Sequence, residues 1–176
     1  IVASLVGSEM CIRDSNNLHI GLVGEALTQY KVMKLGYSCT SVNLEKTDLI
    51  ILAYGQSFRC QVKSSSIRTR VRKDRRNDKK LRPSYTTDYH YRFAVSSGSK
   101  SKKPLTALDT DIVALVGLDH EQIIFVTSDQ LTGSANKQIS PRRFSNQTTE
   151  DSLRHSLRKL ACKKDPTAYR VVRFGS

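Results

Sequence analysis

Apolar residues recur at three- and four-residue steps between Gly21 and Leu35, at Leu22, Ala26, Leu27, Tyr30 and Met33. That period predicts an amphipathic helix, and Gly36 stands just past it, in the position that most often ends one. Tyr37–Val42 is short and strand-like. Asp48–Tyr54 is a continuous apolar run, short enough for a buried strand, and Gly55-Gln56 supplies a turn. Ser57–Ser64 then alternates, with Phe58, Cys60 and Val62 on one face and Arg59, Gln61 and Lys63 on the other.

Residues 65–88 have little apolar periodicity and are expected to form a long loop or ribbon. Strand patterns return at Tyr89–Val95, Asp111–Val116 and Gln122–Val126, with 96–104 a flexible connection and 117–120 a turn. Residues 127–147 read mostly as loop. Thr148–Lys163 is a second amphipathic helix, with Leu153, Leu157, Leu160 and Ala161 as its apolar stripe and Thr148 and Asp151 as a capping pair. The order is helix, three strands, basic excursion, three strands, helix: an α/β domain with a mixed central sheet flanked by helices.

Composition narrows the function more than the fold. The 176 residues carry 29 Lys and Arg against 16 Asp and Glu, a net charge of +13. Segment 68–82 holds nine basic residues and two acids, and segment 142–173 holds nine and three, so two stretches carry the whole excess on a near-neutral body. Such placement favours a polyanion-binding surface. No apolar run reaches the ~18–20 residues that span a bilayer. Cys11, Cys39, Cys60 and Cys162 lack CxxC spacing, and no secretory leader is evident, so an intracellular, reduced setting is expected, in cytoplasm or an organelle. Residues 4–15 (SLVGSEMCIRDS) resemble the translation of a sequencing adapter. Residues 1–15 are therefore expected to be a non-native extension, and 16–176 a single domain with a basic excursion at 65–88 and a basic helical segment at 148–164.

The hairpin concentrates the candidate chemistry. With Gly55-Gln56 as its loop, paired residue numbers sum to 111, so Asp48 faces Lys63 and Ile50 faces Gln61, and Asp48, Gln61 and Lys63 share one face. A carboxylate and carbonyl oxygens suit a hard cation such as Mg²⁺, and a nearby ammonium suits a water or a charged transition state.

The upstream Gly-Leu-Val-Gly-Glu25, Asp48 opening DLIILAYG, the string RCQVKSS and the later DTDIVALVGLDHEQIIFV together resemble the PD-(D/E)XK nuclease superfamily over residues 19–130. Within it the likeness is nearest to the homing endonucleases encoded by group I introns. The departures are Thr47 where the pattern has Pro and Gln61 where it has an acid. The resemblance implies a restriction-endonuclease-like core and an Mg²⁺-dependent hydrolase that cuts double-stranded DNA. Asp48 would be the main metal ligand, Gln61 and the backbone carbonyl of Val62 would complete the metal or water shell, Lys63 would be the catalytic ammonium, and Glu25 would bind a second metal. Cutting both strands implies a homodimer or homotetramer. Other readings stay open: a Holliday-junction resolvase-like nuclease, a non-catalytic nucleic-acid-binding protein, or a protein that binds acidic partners.

The expected nucleic-acid contacts are Arg68, Arg70, Arg72, Lys73, Arg75, Arg76, Lys79 and Lys80 in the excursion, and Arg142, Arg143 and Arg158 near the C-terminus. Most would meet phosphate, which gives affinity and not sequence choice. Duplex binding should therefore fall steeply with salt, read as the slope of log affinity on log salt. A flat slope between low and physiological ionic strength would remove the electrostatic surface.

Overall fold

A computed structural model describes residues 6–73, 85–97, 103–131, 133 and 135–164. Its elements, in chain order, are α1 (Val6–Lys34), β1 (Ser38–Leu44), β2 (Thr47–Ala53), β3 (Gln56–Ser65), β4 (Arg68–Lys73), β5 (Tyr85–Ala94), β6 (Ser96–Ser97), β7 (Lys103–Pro104), β8 (Ile112–Gly117), β9 (Gln122–Thr127), β10 (Asn136–Ile139), α2 (Pro141–Asn146) and α3 (Thr149–Lys164). The mixed α/β fold expected from the pattern is present. A five-stranded sheet runs β1-β2-β3-β8-β9, with β3 and β8 parallel and the other neighbours antiparallel. A second, three-stranded sheet runs β10-β5-β4.

Alternation along the central strands divides the core in two. Leu49, Ile51, Phe58, Cys60, Val62, Ile112, Ala114, Ile123 and Phe125 face α1 and α3, where Val32, Leu153, Leu157 and Ala161 cover them. Val113, Leu115, Ile124 and Val126 face the other way, against Tyr91, Phe93 and Ile139 of the second sheet and Phe144 of α2. This second layer covers β8 and β9, and Leu52 on β2 stays 52% exposed. The face bearing Gln61 and Lys63 is the face of Val113 and Leu115, because parallel pairing sets Gln61 beside Val113 and Lys63 beside Leu115.

Several expectations change. α1 runs from Val6, and of its periodic apolar residues only Leu27 packs toward the core while the others point to solvent. Leu22, Tyr30 and Met33 are 53%, 56% and 55% exposed, and Ala26 is also exposed. The buried line is Gly24, Thr28 and Val32, with Leu27 and Leu35 flanking it. Small residues lie there because helix and strand approach too closely for larger ones: a Cβ at Gly24 would stand 1.7 Å from Ser64 Oγ and 2.9 Å from Ser64 Cβ on β3. The buried Thr28 hydroxyl is satisfied by the Gly24 carbonyl at 2.7 Å.

The hairpin turn is Tyr54-Gly55, not Gly55-Gln56. Both residues have positive φ, 53° and 70°, as a type I′ turn requires, and glycine takes its second position instead of its first. Paired numbers accordingly sum to 109, from Ala53↔Gln56 to Leu49↔Cys60. Asp48 therefore does not face Lys63, and Ile50 faces Arg59 instead of Gln61. The displacement is two residues, so each side chain keeps its face.

The basic excursion contains strand β4 and the first residues of β5, which pair from Lys73↔Tyr85 to Arg68↔His90. β6 and β7 pair within the connection read as flexible, and β10 and α2 lie within the stretch read as loop. α3 begins as expected: Thr148 Oγ1 accepts the Asp151 N–H at 3.0 Å and donates to the Asp151 carboxylate at 2.6 Å. Cys60 is a buried strand residue, as its alternation implied.

The Gly24–Ser64 contact is testable by a change of sign. Alanine gains about 1 kcal/mol over glycine in a helix interior, whereas an overpacked contact costs about 1–3 kcal/mol. Gly24→Ala should lower the urea midpoint in the native sequence and raise it in a Ser64→Gly background. A stabilising Gly24→Ala in the native sequence would refute the close contact.

Candidate active site

The central sheet opens where β2 parts from β3. Their pairing ends at Leu49↔Cys60, and from Gln61 to Ser65 β3 pairs with β8 alone. The Val62 N–H points into that gap and would lack a strand partner. Asp48 supplies one: its Oδ2 accepts the Val62 N–H at 2.7 Å and the Gln61 Nε2–H at 2.7 Å. An extended residue sends its N–H and C=O to the same side, so the Val62 carbonyl also points toward Asp48. Because Gln61 uses its amide nitrogen on Asp48, its Oε1 is left as an oxygen donor.

Lys63 follows two residues after Gln61 on the same face. Burial lowers its pKa, and the negative charges of Asp48 and Glu25 oppose that shift. Glu25 reaches the same spot from α1, carried there by the glycine next to it in sequence, which lets the helix close on β3. Its carboxyl is held above the usual glutamate value, first by burial and then by Asp48, with Lys63 pulling the other way. Glu25 and Lys63 act on each other and both act with Asp48, so the three form one electrostatic group.

The donor set is two carboxylates, a side-chain amide oxygen and a backbone carbonyl. All are hard oxygen ligands, which fit Mg²⁺ or Ca²⁺ and do not fit a soft thiophilic metal. Among the described residues no cluster of three or more His, Cys, Asp or Glu occurs. Any cation here must rely on the amide and carbonyl oxygens beside two acids.

The structure thus brings together Glu25, Asp48, Gln61, Val62 and Lys63. The basic residues divide. Arg68 is exposed at the root of β4, and Arg70, Arg72 and Lys73 occupy later positions of that strand. Arg75, Arg76, Lys79 and Lys80 lie outside the described residues. Arg142 and Arg143 are exposed on α2, whose Phe144 packs on the sheet face that carries Gln61 and Lys63. Arg158 sits on α3, across the sheet from that face, and its charge acts on the Tyr37 hydroxyl beside Tyr54. Asp109 and Asp111 are engaged elsewhere: Asp109 with Lys46 at 2.7 Å, and Asp111 with the Arg59 backbone N–H at 2.8 Å. Sequence reasoning missed the group formed by Tyr91, Asp119 and His120 at the far end of β3. Its one signal was an Asp-His pair directly after the apolar strand that becomes β8.

No protein-family model matches the chain, and no curated protein matches it in sequence. Its fold is similar to the solved structure of a bacterial homing endonuclease, I-Ssp6803I, with a TM-score of 0.55 at 14% identity, over 83% of this chain and 96% of that one. At the described helices, none is long and apolar enough to cross a membrane.

The raised Glu25 pKa has a stability consequence with a definite sign. A raised folded-state pKa favours folding at pH below the ordinary glutamate value, and the benefit is lost as pH rises through the raised value. At neutral pH Glu25 is therefore a net cost to the metal-free fold. Glu25→Gln should raise the metal-free denaturation midpoint at pH 7, and the gap to wild type should close on acidification. A lower midpoint at pH 7 would contradict the electrostatic grouping.

Proposed function

We propose that this chain is an Mg²⁺-dependent DNA endonuclease of the PD-(D/E)XK type, a site-specific homing endonuclease that hydrolyses phosphodiester bonds. The observation that carries the reading is the Asp48 carboxylate held at 2.7 Å by both Gln61 and the Val62 N–H, with Lys63 next on that face. The fold shared with a bacterial homing endonuclease supports it. So does the surplus of positive charge in the stretch that leads directly out of the site strand.

In this reading Asp48 is the main cation ligand, Gln61 Oε1 and the Val62 carbonyl complete the cation or water shell, and Glu25 holds a second cation directly or through water. A bound Mg²⁺ supplies neutralisation of the scissile phosphate and a more acidic water. Lys63 offers an ammonium donor where phosphate oxygens gain charge, in a half-buried position that strengthens the interaction. A new P–O bond forms from the water oxygen as that water gives up a proton to solvent, the ester P–O bond breaks, and the leaving oxygen takes a proton from a solvent water. The Gln61–Asp48 hydrogen bond fixes the carboxylate before substrate arrives, so less reorganisation falls on the reacting step. Duplex DNA would lie along β4 and α2, its backbone met by Arg68, Arg70, Arg72, Arg142 and Arg143. Cutting both strands needs two such sites, hence a homodimer or homotetramer.

The test is nicking of supercoiled and branched DNA with Mg²⁺ or EDTA, alongside Asp48→Ala and Lys63→Ala. The wild type should cut only with Mg²⁺, and each variant should lose about 10²–10³-fold in rate, the usual loss for removing one preorganised charge-stabilising group. Preference for branched over linear DNA would replace the homing role with that of a junction resolvase. Metal-independent cutting, or undiminished cutting by both variants, would exclude the site. Salt-sensitive binding without cleavage would favour a non-catalytic DNA-binding protein.

A further inference from the structure

The site strand and the arginine strand are one continuous stretch of chain. β3 carries Lys63 and ends at Ser65, and β4 begins at Arg68 after two connecting residues. Whatever fixes that joint fixes the direction in which the arginines leave the site. β4 is six residues long, about 20 Å, so a 10° error at its root moves its tip by about 3.5 Å, close to the rise along the DNA axis per phosphate of one strand.

The joint is held from two directions. The Ile67 N–H, immediately before Arg68, donates to Asp119 Oδ2 at 2.7 Å. Ser65 Oγ accepts the Arg92 N–H of β5 at 3.3 Å. Asp119 lies in the turn after β8, and that turn stands at the end of β3 because Gly117 pairs with Ser65. His120, next to Asp119 in that turn, places its Nδ1 2.6 Å from the Tyr91 hydroxyl, and the Asp119 charge acts on the same hydroxyl. Tyr91 is fully buried on β5, the partner of β4, with its ring 4.8 Å from that of Phe144 and against Gly117. Burial and then Asp119 push its pKa up to about 12, so the hydroxyl keeps its proton and serves as a neutral donor. A phenol can donate one hydrogen bond and accept another, so the Tyr91 hydroxyl is a partner for His120 Nδ1 in either imidazole tautomer. Two adjacent residues of the turn after β8, Asp119 and His120, therefore hold both strands of the ribbon to the end of β8.

We propose that Asp119, completed by Tyr91 and His120, is a positioning clamp that sets the angle of the arginine strand to Lys63 and so the number of DNA phosphates the ribbon meets at once. The proposal rests on the endonuclease reading and adds to it residues that touch neither DNA nor metal. Directional hydrogen bonds at the joint do what apolar packing alone does less well: they select one orientation of the ribbon over neighbouring ones.

The test separates binding from cutting. Duplex binding is measured by fluorescence anisotropy in EDTA across a salt series, single-turnover nicking at saturating protein with Mg²⁺, and folding by the urea midpoint, for wild type, Asp119→Ala, Asp119→Asn and Tyr91→Phe. Asp119→Ala should weaken duplex binding about tenfold and flatten the salt slope, with nicking at saturation within about twofold of wild type. Asp119→Asn keeps an oxygen acceptor for the Ile67 N–H and should restore most of the affinity. Tyr91→Phe keeps the ring and removes the hydroxyl, so it should fall between the two and serves if Asp119→Ala does not fold. Wild-type affinity and slope in Asp119→Ala or Tyr91→Phe would overturn the proposal. So would binding losses that track losses in urea midpoint and are not rescued by Asp119→Asn. If wild type binds duplex but does not nick it, the endonuclease reading fails while affinity and slope still decide the clamp.

Discussion

Everything at the candidate site depends on one carboxylate that fills a gap in a sheet. A central strand that loses its neighbour leaves backbone N–H groups without partners, and a buried one costs about as much as a lost hydrogen bond. At Val62 the missing partner is replaced by Asp48, whose second hydrogen bond fastens Gln61. The gap can therefore persist, and it is where Glu25 approaches from α1 and where the Val62 carbonyl points. If β2 paired one step further, Asp48 would lie opposite Gln61 as an ordinary strand residue and the opening would close. A side chain standing in for a strand is thus what makes a cluster of oxygen donors possible inside a sheet.

The arrangement carries internal conflict. Lys63 has its charged form disfavoured by burial, Glu25 is held toward its neutral form, and Ser64 Oγ is buried with no hydrogen-bond partner among the described residues. Gly24, a poor helix former, is required by the closeness of α1 to β3. These costs sit within a few residues of one another, while the surrounding core of Leu49, Phe58, Cys60, Ile112 and Leu157 is fully buried and apolar. Local rules are broken where two carboxylates and an ammonium must stay close, and are obeyed around it. That is the pattern expected when a site is held for chemistry at some expense of stability.

What could be read from the sequence followed from parity more than from position. The face shared by Asp48, Gln61 and Lys63 survived an incorrect turn because the displacement was two residues, and strand faces repeat every two. The direct Asp48–Lys63 pairing did not survive, since it depended on which residues of Tyr54-Gly55-Gln56 formed the turn. A glycine serves the first position of one hairpin turn and the second of another, so the residues alone left this undecided. α1 shows the opposite failure. Its period was legible, but periodicity marks a stripe and does not say which stripe is buried; the close approach at Ser64 selected Gly24, Thr28 and Val32 over Leu22, Tyr30 and Met33. The Tyr91–Asp119–His120 group was out of reach, because it depends on the parallel pairing of β3 with β8, between residues more than fifty apart in sequence.

That parallel pairing also explains why the basic excursion lies where it does. Two parallel neighbours cannot be joined by a tight turn, and the chain must travel out of the sheet and return. Here the crossover contains β4 and β5, strands of the second sheet, and the described part of the positively charged stretch lies on it. The device that links β3 to β8 is thus also the one that presents cations beside the site. A cationic segment at a chain end could swing independently of Lys63. A crossover cannot, because both its roots are built into the central sheet: one follows Ser65 and the other leads into Ile112. With Asp119 bonded to the first root and its neighbour His120 bonded to Tyr91 of β5, the orientation of the ribbon becomes a property of the sheet itself. The direction of the arginine strand and the geometry of the site are then set by the same strand pair, β3 and β8, and a change in one carries over to the other.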